Sequence, residues 1–159
     1  MTVKVKLINY SIKKKEGPVF VYTNRIENGA EILGAALEAN GMENFFKGLS
    51  KKGKVITRSD KPKYAIWTGG TTPDDRRIIN DSYNLPKNKD GSVLKVIIGT
   101  NAMSEGVTLK KTSQLHILDP KWNQSGMEQV IGRAIRHKSH GEEGNWLVRV
   151  PKGYDRPIV

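Results

Sequence analysis

The sequence predicts a three-layer α/β fold with a mostly parallel central sheet. Three observations lead there. Short apolar runs of strand length recur along the chain, a helix-like or turn segment follows each of them, and the most apolar run, residues 94–98, reads as a strand buried on both faces. Alternating strands and helices imply right-handed crossovers and helices on both sides of the sheet. A length of 159 residues, 36% hydrophobic and 27% charged, fits one domain with a core large enough to fold unaided.

The first strand is Val19-Phe20-Val21-Tyr22, entered through the turn pair Gly17-Pro18. Ile26, Ala30, Leu33 and Leu37 then fall at helical spacing, and Asn40-Gly41 stops the helix. Tyr64-Ala65-Ile66-Trp67 is the second strand. Beyond Thr68-Gly69-Gly70, a proline and two acids at Pro73-Asp74-Asp75 suit a first helical turn, so a helix is expected from there to about Tyr83. Leu94 to Ile98 is the expected central strand, and Gln114 to Leu118 the next. Ser125 to Arg136 reads as an amphipathic helix with Met127, Val130, Ile131 and Ala134 on its apolar side, and Trp146 to Val150 as a last strand. Phe46 to Lys63, with seven basic residues and Asp60 as its only acid, reads as a loop, and Pro86 to Gly91 as a polar turn.

The balance of 27 Lys+Arg against 16 Asp+Glu gives a net charge of +11, which favours a polyanionic partner through counterion release. Charge alone is equally compatible with a lysine-rich soluble surface, and Lys13-Lys14-Lys15 suits a solvated tail. With no cysteine, disulfides, thiolate metal sites and cysteine nucleophiles are excluded, and an intracellular compartment is permitted. No apolar run approaches the roughly 20 residues of a membrane span. Residues 1–6 alternate charged and β-branched side chains and lack a signal peptide's apolar centre.

Gly48-Leu49-Ser50-Lys51-Lys52-Gly53-Lys54-Val55 nearly spells a phosphate-cradling loop. Val55 stands where a Mg²⁺-binding hydroxyl is required, and no strand precedes it, so a basic loop is the better reading. Gly99-Thr100-Asn101 follows the central strand, where open parallel sheets bind ligands. A glycine there would let the backbone approach a phosphate, and the Thr100 hydroxyl and Asn101 amide could donate to its oxygens. Further on, Gln129, Arg133 and Arg136 share one helical face, since spacings of four and three stack along a turn. Two permanent guanidinium groups and an amide on one stripe do not serve core packing. They suit the γ-phosphate of a nucleotide held by something else.

The run Gln129-Val130-Ile131-Gly132-Arg133-Ala134-Ile135-Arg136 resembles the motif VI arginine-finger helix of superfamily 2 helicases. Gly99-Thr100-Asn101 with Glu105-Gly106 resembles that family's motif V, and residues 19–24 its motif IV. Trp67-Thr68-Gly69 resembles the strand-end turn that follows motif IV, and Asp119-Pro120-Lys121-Trp122-Asn123 a stretch of SWI/SNF-type translocases. Extended through His140, the motif VI run resembles the transcription-associated helicases of nucleocytoplasmic large DNA viruses, relatives of the poxvirus early transcription factor and nucleoside triphosphatase helicases. The resemblance covers about residues 17–140.

That resemblance implies a RecA-like domain, the second lobe of a helicase. It makes Arg136 the finger that stabilises γ-phosphoryl charge, with Arg133 and Gln129 beside it. It places Glu105 and Gly106 toward the nucleotide cleft, and Thr23, Asn24, Gly69, Thr100 and Asn101 on the nucleic-acid side. Thr108 departs from the pattern, since many helicases carry Asp or Asn there, which puts a ribose contact in doubt. The implied cofactors are ATP and Mg²⁺, both held mainly by an N-terminal RecA-like lobe in cis. The implied partners are DNA or RNA and viral transcription machinery, with no membrane, in a cytoplasmic viral factory or virion. Residues 1–159 are expected to form this single lobe, with a core of about 17–150, as a fragment of a longer chain. No ATPase activity is expected of it alone, because neither a phosphate-cradling loop nor an acidic Mg²⁺ pair at a strand end is present; Asp74-Asp75 reads as a helix cap.

His137 and His140 with Glu142 do not close a metal site, since two helical ligands are too few, and no metal is expected. His116 reads as a satisfied or surface histidine, Trp67 and Trp146 as core or core-edge residues, and Trp122 as a wedge beneath the arginine helix or a platform for a base. A second reading of function is a stand-alone RecA-like nucleic-acid-binding or scaffold protein without catalysis. The stripe Gln129, Arg133, Arg136 favours the enzyme lobe, because a pure binding module has no use for a γ-phosphate sensor.

Overall fold

A computed structural model describes residues 3–14, 16–49, 59–104, 108–110, 112–118, 129, 132 and 147–149. In chain order the elements are α1 (Val3–Lys14), β1 (Val19–Tyr22), a π-helical turn (Ile26–Glu31) running into α2 (Ile32–Ala39), β2 (Glu43–Asn44), a 3-10 turn (Phe45–Gly48) and β3 (Lys63–Trp67). Then come α3 (Pro73–Tyr83), a 3-10 turn (Pro86–Asp90), β4 (Val96–Gly99), a 3-10 turn (Asn101–Ser104), β5 (Gln114–Ile117) and β6 (Leu147–Arg149). The strands pair in the order β2-β3-β4-β1-β5-β6, every pair parallel. The expected α/β sheet is therefore present, with β4 and β1 at its centre.

Alternation along each strand splits the core into two clusters, one per face of the sheet. On one face Val19, Val21, Tyr64, Val96 and Ile98 pack with Leu33 and Leu37 of α2 and Ile8 and Ile12 of α1. On the other, Phe20, Tyr22, Ala65, Trp67, Ile97 and Leu115 pack with Ile79 and Tyr83 of α3 and with Leu94, Met103 and Leu109. Helices cover both faces, the three-layer arrangement. Pro73 starts α3 and Asp74 and Asp75 stand in its first turn, as expected, but the cap is Thr72 rather than the two aspartates: its hydroxyl accepts from Asp75 N at 3.2 Å.

Two features depart from expectation. The N-terminal segment is not a solvated tail. It forms α1, whose Ile8 and Ile12, one helical turn apart, are buried, and whose Ser11 carbonyl accepts from Gln114 Nε2 of β5 at 3.0 Å. Lys13 and Lys14 are the exposed end of that helix, so the buried core reaches in front of residue 17. The Pro86–Gly91 turn is a 3-10 turn knotted around a buried amide. Asn88 Nδ2 donates to Tyr83 O (2.9 Å) and Leu94 O (3.0 Å), and its Oδ1 accepts from Val93 N and Leu94 N (both 2.9 Å). Gly91 ends it at φ 82°, a conformation that favours glycine. Lys95, at the same sheet edge, donates from Nζ to Gly17 O at 2.7 Å, and burial holds its pKa below the ordinary lysine value. His116 is buried with Nε2 2.9 Å from Gln114 Oε1, the satisfied one of its two readings, and Trp67 is a core residue.

Candidate functional site

Tyr22, Gly99 and Trp67 occupy one register row across β1, β4 and β3 at the carboxyl ends of these strands. Main-chain bonds carry the pairing one residue further, from Thr23 N to Gly99 O (3.0 Å) and from Thr100 N to Trp67 O (3.2 Å). The residues just beyond this row form a single rim along the edge where parallel sheets bind ligands. Thr23-Asn24, Thr100-Asn101 and Gly69, drawn from three separated stretches of sequence, all lie on it.

On this rim the two threonines turn inward. Thr23 is fully buried, and its hydroxyl accepts from Arg25 N at 3.2 Å. The absent side chain of Gly29, in the π-helical turn, makes room for that hydroxyl. Thr100 is also buried. Its hydroxyl, read from sequence as a donor to phosphate, donates to Trp67 O at 3.2 Å and shapes the turn through Ala102 N at 3.4 Å. Gly99 likewise answers to packing rather than to a ligand: a Cβ there would collide with Met103 Sδ and lie 2.6 Å from the Phe20 ring.

What the rim presents outward is amide and bare backbone. Asn24 is exposed and Asn101 half-buried, and Asn101 Nδ2 donates to Asn24 Oδ1 at 2.8 Å. Tyr22 Oη, buried beneath them, donates to Asn101 Oδ1 at 2.7 Å. Gly69 is exposed, with open space where a Cβ would stand.

Arg76, one turn into α3, holds the Gly69 turn. Its Nε donates to Thr71 O (2.9 Å), and Nη2 donates to Thr68 O (3.0 Å) and Gly69 O (3.3 Å). Its guanidinium also lies 5.7 Å from the centroid of the Trp67 ring. Thr71 Oγ1 accepts from Thr68 N at 2.9 Å. At the far end of α3, Asn84 clamps the segment that follows Glu105-Gly106 in sequence, donating to Thr108 O (2.6 Å) and accepting from Lys110 N (2.7 Å). Tyr22, Arg76 and Asn84 had no assigned role in the sequence reading. Only their positions, at a strand's last residue and at the two ends of a helix that leaves the rim, could have signalled one.

Gln129 and Gly132 are helical and exposed, and no atom lies within 4 Å of a Cβ built at Gly132. Glu105, Gly106, Arg133 and Arg136 lie outside the described residues, as do Trp122, Trp146, His137 and His140 and most of the Gly48–Val55 near-match. Among the described residues no group of three His, Cys, Asp or Glu could hold a metal ion, and no helix is long and apolar enough to cross a membrane.

Comparison with known proteins gives this rim a family. The model of the helicase conserved C-terminal domain matches residues 3–138. A protein of Acanthamoeba polyphaga mimivirus named as an ATP-dependent RNA helicase, R563, is 37% identical over 131 residues, covering 81% of this chain and 21% of its own length. The termination factor NPH-I homolog of African swine fever virus (isolate Tick/Malawi/Lil 20-1/1983) is 28% identical over 163 residues, covering 86% of this chain and 23% of its own. The chain thus spans about a fifth of the length of these relatives. In fold it is similar to the C-terminal part of the Fun30 ATPase domain (TM-score 0.61, 19% identity, 93% of this chain and 39% of that one). It is also similar to the C-terminal domain of the DEAD-box protein Dbp5 (TM-score 0.60, 14% identity, 91% and 67%). A family match that begins inside α1 and runs across the whole rim, on an all-parallel sheet layered on both sides, shows that this chain belongs to the helicase conserved C-terminal domain family, the second RecA-like domain of superfamily 2 helicases.

Proposed function

We propose that this chain is the C-terminal lobe of an ATP-dependent superfamily 2 nucleic-acid helicase or translocase, supplying the arginine finger and half of the nucleic-acid track. The observation that carries the proposal is the rim: three strand ends, in one register row, bring Asn24, Gly69 and Asn101 together on the ligand-binding edge of a parallel sheet. Neutral amides and bare backbone suit phosphate oxygens without reading base sequence. A net charge of +11 adds salt-dependent affinity.

The chemistry is divided between lobes. ATP and Mg²⁺ would be held mainly by an N-terminal RecA-like lobe in cis, because the sequence of this chain spells no complete phosphate-cradling loop. Toward the nucleotide this chain would contribute Glu105, Gly106, Gln129, Arg133 and Arg136. Arg136 stabilises charge that develops on the transferred phosphoryl group, with Arg133 and Gln129 orienting beside it. Gln129, helical and exposed, is in keeping with a stripe that faces across a cleft. The viral relatives point to service beside viral transcription machinery, in a cytoplasmic factory or virion.

The test compares two preparations with ATP, Mg²⁺ and saturating oligonucleotide. The longer protein that carries this chain should hydrolyse ATP in an oligonucleotide-stimulated manner, and this chain alone should release no phosphate while still binding oligonucleotide at low salt. Turnover by the chain alone would overturn the single-lobe reading. Binding with no hydrolysis by the longer protein would instead favour the non-catalytic scaffold.

A further inference from the structure

We infer that the outer face of α1 is a second nucleic-acid contact, which takes a single strand by stacking a base on Tyr10 and setting phosphates against Lys6, Lys13 and Lys14. The inference rests on the nucleic-acid reading of the chain given above, but its surface lies apart from the rim.

Tyr10 stands four residues after Lys6, three before Lys13 and four before Lys14, so the four side chains share one stripe of α1, and all are exposed. The other side of the helix is already in use, since Ile8 and Ile12 are buried in the core. Residues 1–15 hold five lysines and no acid, and among the described residues none of Lys6, Lys13 and Lys14 is paired to an acid. Their charge is open to a polyanion. From Lys6 to Lys14 the helix rises about 12 Å, enough to meet successive phosphates.

Tyr10 separates this stripe from an ordinary solvated face. It is 58% exposed, whereas Tyr22, Tyr64 and Tyr83 are buried. Lys14 Nζ stands 4.9 Å from its ring centroid, a contact that takes only one face of the ring and steadies the side chain along the helix. An exposed ring among cations suits unpaired bases: the ring is a stacking platform without sequence preference, and the cations follow the backbone. An anionic membrane matches less well. A helix lying on lipid must bury its apolar side there, and α1 has buried its own in the protein.

Lys13 and Lys14 line a groove with Met42, Pro62 and Lys95, the residues just ahead of β2, β3 and β4. The basic end of the stripe is thus at the sheet edge opposite the rim, and α1 covers the sheet face opposite α3. Substitutions here leave Asn24, Gly69 and Asn101 in place, so the two surfaces can be tested separately.

In the full chain, fluorescence anisotropy would follow binding of a fluorescein-labelled oligodeoxythymidine strand and of a duplex of the same length. Tyr10→Ala should weaken binding of the single strand about tenfold, the scale of one stacked base, and leave the duplex near wild type because its bases are already stacked. Tyr10→Phe keeps the ring and should bind as wild type does. The triple variant Lys6→Gln, Lys13→Gln, Lys14→Gln should reduce the slope of log affinity against log salt by about 2, three phosphate contacts at roughly 0.7 each. Melting temperatures should change little, since every substituted side chain is exposed. Wild-type affinity for the single strand in Tyr10→Ala, an equal loss on strand and duplex, or an unchanged salt slope in the triple variant would each overturn the inference. So would a triple variant that loses binding to phosphatidylserine vesicles and keeps it to the single strand. If those variants bind as wild type while Gly69→Ala binds more weakly, only this inference falls and the rim stands. No oligonucleotide binding by the folded wild type would sink both.

Discussion

The two halves of the rim are held in opposite ways. At the ends of β1 and β4, side chains do the holding: Thr23 and Thr100 fold back on main chain, the Tyr22 hydroxyl donates to Asn101, and Asn101 donates to Asn24. At the end of β3, one guanidinium grips three main-chain carbonyls, of Thr68, Gly69 and Thr71, and the outer face is bare glycine. The first half offers amides joined across two loops. The second offers a braced backbone with open space above it.

The largest expected effect would separate the rim from the arginine stripe. In the two-lobe protein, Arg136→Ala should lower ATP turnover by about 10³–10⁵, the scale of arginine-finger loss in phosphoryl transfer. Oligonucleotide affinity and melting temperature should stay near wild type, because the rim is intact. Arg136→Lys should fail nearly as badly, since a point charge does not reproduce the planar fork. Full turnover with lost oligonucleotide binding would place the stripe on the nucleic-acid track.

A second substitution asks whether the β4 half is as tightly built as its contacts imply. In Gly99→Ala the new methyl meets Met103 Sδ and the Phe20 ring. Overpacking at a fully buried strand position should cost about 1–3 kcal/mol, read from the urea midpoint. Unchanged stability would mean that this half yields easily, and the contrast with the β3 half would vanish.

Where local chemistry decides the outcome, the sequence alone was enough. Pro73 to Tyr83 and Val19 to Tyr22 have the bounds read from their pattern, because proline, first-turn acids and apolar run all act within one element. The residues of the rim were legible as strand-end positions for the same reason. Their orientation was not. Gly99 looked like a place for a phosphate to approach, but its neighbours are Met103 and Phe20, the latter 79 positions away, and no local pattern reports them. Thr100 and Thr23 looked like ligand donors because nothing in sequence shows that a hydroxyl is already spent on main chain. Helix α1 was hidden by Val3-Lys4-Val5-Lys6, an alternation with the period of a strand. The true signal was the Ile8–Ile12 spacing, diluted by Asn9 and Ser11.

A smaller effect would test the brace under the β3 half. Arg76→Ala removes three bonds to carbonyls and the contact with the Trp67 ring, but the side chain is only partly buried and water can replace much of the loss. A cost of about 1–2 kcal/mol is expected in thermal or urea unfolding. Arg76→Lys should recover less than half of it, because one ammonium cannot span Thr68 O and Thr71 O together. Oligonucleotide binding should weaken with Arg76→Ala as the Gly69 turn loosens. If affinity holds while stability falls, the brace serves the fold alone.

The smallest effect on stability should come from Gly69→Ala, and that makes it the cleanest probe of what the β3 half offers. The new Cβ meets nothing within 4 Å, and the residue is not among the glycines with positive φ. Unfolding should therefore shift by no more than about 0.5 kcal/mol, the range of a surface change, and a slight gain is as acceptable as a slight loss. A strand lying against the bare backbone would still meet the methyl, and the loss of one close approach should weaken oligonucleotide binding about threefold to tenfold. Gly99→Ala inverts this signature, costing stability through packing at a position no ligand reaches. Measured side by side in the same chain, the two alanines separate a glycine kept for its neighbours from one kept for a partner. Wild-type affinity in Gly69→Ala would remove the β3 turn from the track and leave the amide half to carry it.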